Sequence, residues 1–305
     1  MNPIHVLIKL YPGYGLGDAV QMTAVLRHVR KHLPNWIVDY VADKGKHSAA
    51  IGLVRNAVSY EDALPAKEYD REVEIKLYDT FAAWKDRPNT RVTSCLHERF
   101  GLGWDPECGR YQINIQPDAL NAAKDFLAST VARNRIVAVQ YQGDSSRELK
   151  NLSHVEAAQI CTWILNLGRT PLLMDWRNIS PIPDGREICT TGRLSMSDTW
   201  GRDAQMNTAI ISQCEAYVGI DSGPGKCATA TETPTLIVWT GHHPALFHDP
   251  APNTTHLVPA GHRDNPILRG NMHVAEWFEA HYHWRTYDEC CPIGEVKNWL
   301  KEVLR

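Results

Sequence analysis

The eight cysteines, Cys95, Cys108, Cys161, Cys189, Cys214, Cys227, Cys290 and Cys291, include no pair at C-x-x-C spacing. That excludes the common zinc ribbon and the thioredoxin-type redox motif, and it leaves most of these thiols as small buried hydrophobes. Positive charge is not in excess: 32 lysines and arginines against 35 acidic residues give a formal charge of -3, so the totals carry no nucleic-acid footprint. Long apolar runs are missing too. The longest, such as TLIVW at 235–239 and PLLM at 171–174, stop far short of the ~18 residues that cross a bilayer, so no transmembrane helix is expected. No basic stretch, apolar stretch and small-residue cleavage site precede the strand-like IHVLIKL at 4–10, and the expectation is a cytosolic protein without a signal peptide.

What is present is α/β alternation. The 305 residues, 43% of them hydrophobic, suffice for two domains of ~150 residues. Residues 4–10 read as a strand, 11–17 as a glycine-rich loop, and a helix is expected from about 18 to 32. Asp18 suits its N-cap, and Ala19, Met22, Leu26, Val29 and Leu33 recur at helical spacing. Pro34 ends the helix and 36–42 reads as a second strand, which completes the βαβ unit of a parallel sheet. A strand at 72–78 and a helix at 91–100 are expected next. The polar helical stretch 116–134 then leads into a strand at 135–141, and the domain boundary is placed there, giving 1–125 and 126–305. Further helices are expected at 153–167, 203–214 and 225–231, with strands at 170–174, 216–220 and 235–239. The fold class is therefore α/β, two Rossmann-like parallel-sheet domains facing a central cleft. A closing amphipathic helix at 292–305, with Val296, Trp299, Leu300 and Val303 on one face, is free to pack back across the first domain.

Gly13, Gly15 and Gly17 stand where backbone N–H groups and a helix start can receive an anion. The dinucleotide fingerprint G-x-G-x-x-G fails here, because the third glycine is replaced by Asp18 or Val20, although Asp43 lies past the second strand where a ribose-binding acid would stand. A carboxylate at this helix start would repel a pyrophosphate, yet it suits a base that takes a proton from an acceptor hydroxyl. On the loop alone, Asp18 reads equally as a cap or as that base. In the second half, QGDSSRELKNLS at 142–153 offers Ser145, Ser146, Arg147 and Lys150, groups suited to phosphate oxygens or to a solvated loop. The segment 214–244 carries a strand ending at Asp221, the tight loop Ser222, Gly223, Pro224 and Gly225, and Lys226 in the first turn of a small-residue helix. Asp221 can accept from sugar hydroxyls while the helix start faces a diphosphate; the plainer reading is an Asx-type turn. His242 and His243 follow; they are placed to line the cleft, but read rather as solvated loop histidines.

These three blocks, in this order, resemble glycosyltransferase family 9, the ADP-heptose:lipopolysaccharide heptosyltransferases. GLGDAVQMTAVLRHVRKHLP at 15–34 looks like the family's N-terminal block, SSRELKNLS at 145–153 like its phosphate block, and GIDSGPGKCATATETPTLIVWTG at 219–241 like its signature block. The resemblance implies a GT-B fold, Asp18 as catalytic base, Gly17, Ser145, Ser146, Lys150, Asp221, Ser222, Gly223 and Lys226 as donor-binding residues, and no metal. The family usually has histidine where Lys226 stands and a tryptophan-proline pair where Leu152 and Ser153 stand, departures that bear on donor and acceptor identity.

The expected activity is inverting, metal-independent transfer of a sugar from a nucleotide-diphosphate donor, the only co-substrate, to an acceptor hydroxyl. Its alternatives are a nucleotide-sugar epimerase or hydrolase of the same fold and a non-catalytic sugar-nucleotide-binding protein. A lipid-linked saccharide, a protein or a modified nucleic-acid base are the open acceptors. The expected location is cytoplasmic, with the inner membrane face open to it through the basic run Arg27, Arg30 and Lys31, otherwise a solvated helix face. Trp84, Trp104 and Trp176 are candidates to stack on sugars or bases, and His273, His281, His283, Cys290 and Cys291 form the one candidate metal cluster.

Overall fold

A computed structural model describes residues 2–62, 68–76, 91–130, 135–143, 150–174, 180–182, 189–190, 203–240, 243–258 and 293–305. The first sheet contains β1 (Ile4–Leu10), β2 (Trp36–Ala42), β3 (Asn56–Ser59) and β4 (Arg71–Ile75), all parallel in the order β3-β2-β1-β4. The second contains β5 (Ile136–Gln140), β6 (Thr170–Leu173), β7 (Cys189–Thr190), β8 (Ala216–Ile220), β9 (Thr235–Val238) and β10 (Thr254–Leu257), all parallel in the order β10-β9-β8-β5-β6-β7. Strands β5, β6, β8 and β9 are buried throughout, as parallel strands covered on both faces must be. Each sheet has one place where the chain reverses its direction of travel, beside β1 in the first and between β5 and β8 in the second. Crevices at such points, outside the carboxyl ends of the strands, are where open α/β sheets take ligands.

The helices are α1 (Leu16–His32), α2 (Val92–Glu98), α3 (Pro117–Thr130), α4 (His154–Asn166), α5 (Ala204–Ile211), α6 (Gly223–Thr229), α7 (Pro244–Phe247) and α8 (Ile293–Val303). None among the described residues is long and apolar enough to cross a membrane. Helix α1 starts two residues before the expected place: Gly15 is the N-cap, and Asp18, in the first turn, reaches back to accept its N–H at 2.8 Å. Helix α4 starts one residue past the expected place behind a reciprocal cap, with Ser153 accepting from Glu156 N and the Glu156 carboxylate accepting from Ser153 N. Positions 125 and 126 fall inside α3, whose Ala123, Phe126 and Leu127 pack with Ile136 and Ile210 of the second domain. Among the described residues the closing helix packs on the second domain instead of crossing to the first. Val296 and Leu300 of α8, with Leu304 beyond it, join the core of β5, β8 and α4.

Helix α1 is buried on two faces. Ala19, Met22, Val25, Leu26 and Val29 pack on the first sheet, while Leu16, Val20 and Ala24 join a core that includes Met206, Cys227 and Ala228 from the second domain. Polar groups fasten the same interface: Gln205 donates to Ser48 O at 3.0 Å, Gln21 to Phe247 O at 2.9 Å, and Thr93 to Asp249 at 2.8 Å. Asp249 is fully buried, and that burial pushes its carboxyl up to about 7 against the opposing pull of Thr93, Arg91 and Lys226. An unfolded carboxyl titrates at the ordinary 3.8, so between these values the folded state keeps a proton that the unfolded chain has lost. Stability contributed by the protonated group is thus full below the lower value and falls as pH rises through the higher one. Asp249→Asn is expected to flatten that slope, read as melting temperature at pH 5 and pH 8.

The four cysteines whose side chains are described, Cys108, Cys161, Cys214 and Cys227, are buried free thiols. Burial pushes Cys161, Cys214 and Cys227 up to about 12, where a thiol is chemically inert.

Candidate active site

The loops that leave the two reversal points meet in one cavity of about 490 Å³. The first domain contributes Gly13 to Asp18, after β1, with Asp43 and Lys46, after β2. The second contributes Gln140 and Gly143, at the end of β5, Lys150, and Asp221 to Pro224 with Lys226, after β8. Seven of the residues singled out in sequence, Gly17, Asp18, Lys150, Asp221, Ser222, Gly223 and Lys226, therefore share one wall system. Ser145, Ser146, Arg147 and His242 lie outside the described residues, as do Trp84, Trp176, His273, His281, His283, Cys290 and Cys291.

The cavity holds three carboxylates and three lysines, distributed unequally. Asp221, 5% exposed, is bracketed by Lys226 Nζ at 3.0 Å from Oδ1 and Lys150 Nζ at 3.3 Å from Oδ2. Two cations thus converge on one anion, leaving a surplus of positive charge where the second domain faces the cleft. The Thr240 hydroxyl donates to Lys150 O at 3.0 Å and fixes that lysine's backbone. Ser222 is committed locally: its hydroxyl donates to Gln140 Oε1 at 2.5 Å and accepts Gly225 N–H at 3.4 Å as the N-cap of α6. That donation turns the Ser222 proton towards Gln140.

On the opposite wall, the Asp18 carboxylate combines its hydrogen bond from Gly15 with a half-buried position. Desolvation raises its pKa, and Lys226, the Gly15 N–H and Lys150 oppose that rise. Asp43 and Lys46 hold the glycine loop itself. Asp43 accepts Gly13 N–H at 3.1 Å and Lys46 Nζ at 2.8 Å, and Lys46 also donates to Tyr14 O. Lys46 was missed in sequence; the available signal was a lysine three residues after an acid, just past the carboxyl end of a strand.

Gly17 and Gly223 face each other across the domain interface. A Cβ on Gly223 would stand 2.7 Å from Leu16 Cβ and 3.0 Å from Gly17 N, whereas one on Gly17 would meet Lys226 Cδ at 3.4 Å and Gly223 Cα at 3.5 Å. Gly223→Ala is therefore expected to push the two helix starts apart and to destabilise by about 1–3 kcal/mol. Gly17→Ala, an ordinary contact within a helix, should be neutral or stabilising by up to about 1 kcal/mol. Chemical denaturation of the pair distinguishes these outcomes.

Three expectations are corrected. His243 is 4% exposed and caps α7 by accepting Ala245 N–H at 3.1 Å, so it is not solvated. The basic run on α1 is not a free patch: Arg27 donates to Arg110 O and Glu107 O at 2.8 and 3.0 Å, and Lys31 pairs with Asp105 and Glu107. Trp104 does not line the cavity; it stacks on His97 at 5.4 Å beneath Arg91. Tyr11, two residues before the cavity-lining Gly13, is 44% exposed and edge-on to Tyr14 at 6.1 Å.

Two parallel-sheet domains, with both reversal points opening on one cleft, define the GT-B class of architecture. Among solved structures the chain is similar to the glycosyl transferase family 9 protein from Veillonella parvula, at 12% identity and TM-score 0.63, covering 100% of this chain and 98% of that one. It is similar also to E. coli heptosyltransferase WaaC solved with ADP, at 14% identity and TM-score 0.59, over 91% and 100% of the two chains. A third likeness is to TibC of enterotoxigenic E. coli, an iron-containing dodecameric glycosyltransferase, at 13% identity and TM-score 0.65, over 100% and 78%. Neither the known family profiles nor the sequences of curated proteins match the chain.

Proposed function

We propose that this chain is an inverting glycosyltransferase that moves a sugar from a nucleotide-diphosphate donor to an acceptor hydroxyl. The observation that carries the reading is the placement of Asp18, on the first domain, across one cavity from Lys150 and Lys226, on the second. The diphosphate lies against the two lysines, and the acceptor approaches over Gly13, Tyr14 and Asp43. Asp18 takes the proton from the acceptor hydroxyl, whose oxygen attacks the anomeric carbon from the face opposite the leaving diphosphate. That geometry inverts the anomeric configuration. The leaving group's negative charge develops beside Lys150 and Lys226, which supply the electrostatic stabilisation otherwise given by a metal ion. The transfer step uses no metal and no cofactor beyond the donor, and the enzyme works in the cytoplasm. Sugar-nucleotide-binding titrations followed by thermal shift test it, using ADP, GDP, UDP and their sugar conjugates on the wild type, Lys226→Ala and Lys150→Ala. One nucleotide series is expected to raise the wild-type melting temperature and to lose that effect in both variants. Stabilisation by none of the nucleotides would overturn the reading, and donor breakdown without any acceptor would favour a hydrolase or epimerase.

A further inference from the structure

The far end of α1 gathers groups that the transfer reaction does not use. At 1.5 Å per residue, its last turn lies roughly 20 Å from Asp18. There His32 Nε2, Asp105 Oδ2 and Cys108 Sγ all fall within 4.8 Å of one another, with His32 to Asp105 at 2.8 Å and Cys108 to Asp105 at 3.9 Å. The residues behind them are built to hold that arrangement. His28, fully buried, bonds Ala24 O through Nδ1 at 2.9 Å and accepts Asp105 N–H on Nε2 at 3.0 Å. Asp105 Oδ1 accepts Glu107 N–H at 2.9 Å, which leaves Oδ2 directed at His32. A third imidazole, His97, packs 3.5 Å from His28, is fully buried, and has no hydrogen-bond partner on either ring nitrogen. Imidazoles, a carboxylate and a thiol are concentrated here beyond what fastening a helix end requires.

We propose that His32, Asp105 and Cys108 bind a divalent transition-metal ion of the zinc class, tying the end of α1 to the turn at 105–108. Nitrogen, oxygen and sulfur donors together form a zinc-type set. An ion about 2.0–2.3 Å from each donor needs those donors roughly 3.3–3.8 Å apart. Cys108 and Asp105, at 3.9 Å, are nearly at that separation; His32 must move about half an ångström away from Asp105 and towards Cys108, since the three donor atoms now lie within 4.8 Å of one another. Lys31 Nζ, 2.7 Å from the same Asp105 oxygen and 2.5 Å from Glu107, competes with a metal for that carboxylate. Metal entry displaces that ammonium from Asp105, leaves the fourth position to water, and releases the Cys108 thiol proton to solvent as the metal–sulfur bond forms. Glycosyl transfer proceeds without this ion; the site is a structural clip.

The test is titration of the full-length protein with Co²⁺ alone and with Zn²⁺ alone. The wild type is expected to show a thiolate-to-cobalt charge-transfer band and tetrahedral ligand-field bands at one equivalent, reversed by Zn²⁺. Cys108→Ser is expected to lose the charge-transfer band and to weaken Zn²⁺ binding at least tenfold, while Lys31→Ala tightens it. Circular dichroism of both variants separates loss of the site from loss of the fold. Absence of the band in the wild type, or an unchanged band in folded Cys108→Ser, would overturn the proposal.

Discussion

Asp18→Asn is expected to lower the rate of sugar transfer by about 100- to 10,000-fold, the range a positioned general base contributes, while leaving donor binding unchanged. The substitution is chosen because Asp18 has two roles that must be separated. Its carboxylate accepts the Gly15 N–H at the start of α1, so Asp18→Ala would disturb the helix cap as well as the chemistry. Asparagine keeps an oxygen for that hydrogen bond and removes only the ability to take a proton. Burial raises the Asp18 pKa from the ordinary carboxylate value, which strengthens it as a base relative to a solvated aspartate. Transfer should therefore rise with pH as Asp18 ionises, and the asparagine variant should lose that limb of the profile. Single-turnover transfer across a pH series is the measurement. A folded Asp18→Asn protein that transfers at the wild-type rate would remove Asp18 from the chemistry and leave it as a cap.

The parts legible in sequence were those with local physical signals. Strand β1, β2 and β8 bounds agree with expectation because apolar runs ended at glycine, proline or acid. Short polar strands were not legible: NAVS of β3 and TTHL of β10 lack a run to recognise and exist because a neighbouring parallel strand supplies their hydrogen-bond partners. Helix α1 was legible through its sheet-facing stripe, but its second buried face was not, since Leu16, Val20 and Ala24 look like ordinary interruptions until the second domain is packed against them. The same holds within the cavity. Asp18, Lys150, Asp221 and Lys226 could be singled out by type and place, yet Gly17 against Gly223 and Lys150 brought to Asp221 are relations across domains or loops. One-dimensional spacing carries no trace of them.

Asp221→Ala should be the most destabilising change in the cavity, because it leaves Lys150 and Lys226 facing each other without their shared counter-charge. Breaking a buried pair by removing one partner costs about 3–5 kcal/mol, most of it the penalty of the charge left behind. At roughly 2–4 °C per kcal/mol, the melting temperature should fall by about 6–20 °C. Lys226, 6% exposed with its stem against Gly17, cannot turn readily to water, whereas Lys150, at 15% side-chain exposure, has a partial route. Adding Lys226→Met to Asp221→Ala should consequently recover much of the lost stability, a coupling that a double-mutant cycle measures directly. The two unpaired cations also make a stronger anion trap, so a nucleoside diphosphate that binds here should raise the melting temperature of Asp221→Ala more than that of the wild type. If the sugar moiety is held by Asp221, the nucleotide sugar should lose its advantage over the bare nucleotide in the variant. A protein lacking Asp221 that melts within a degree or two of the wild type would show that the lysines do not depend on it.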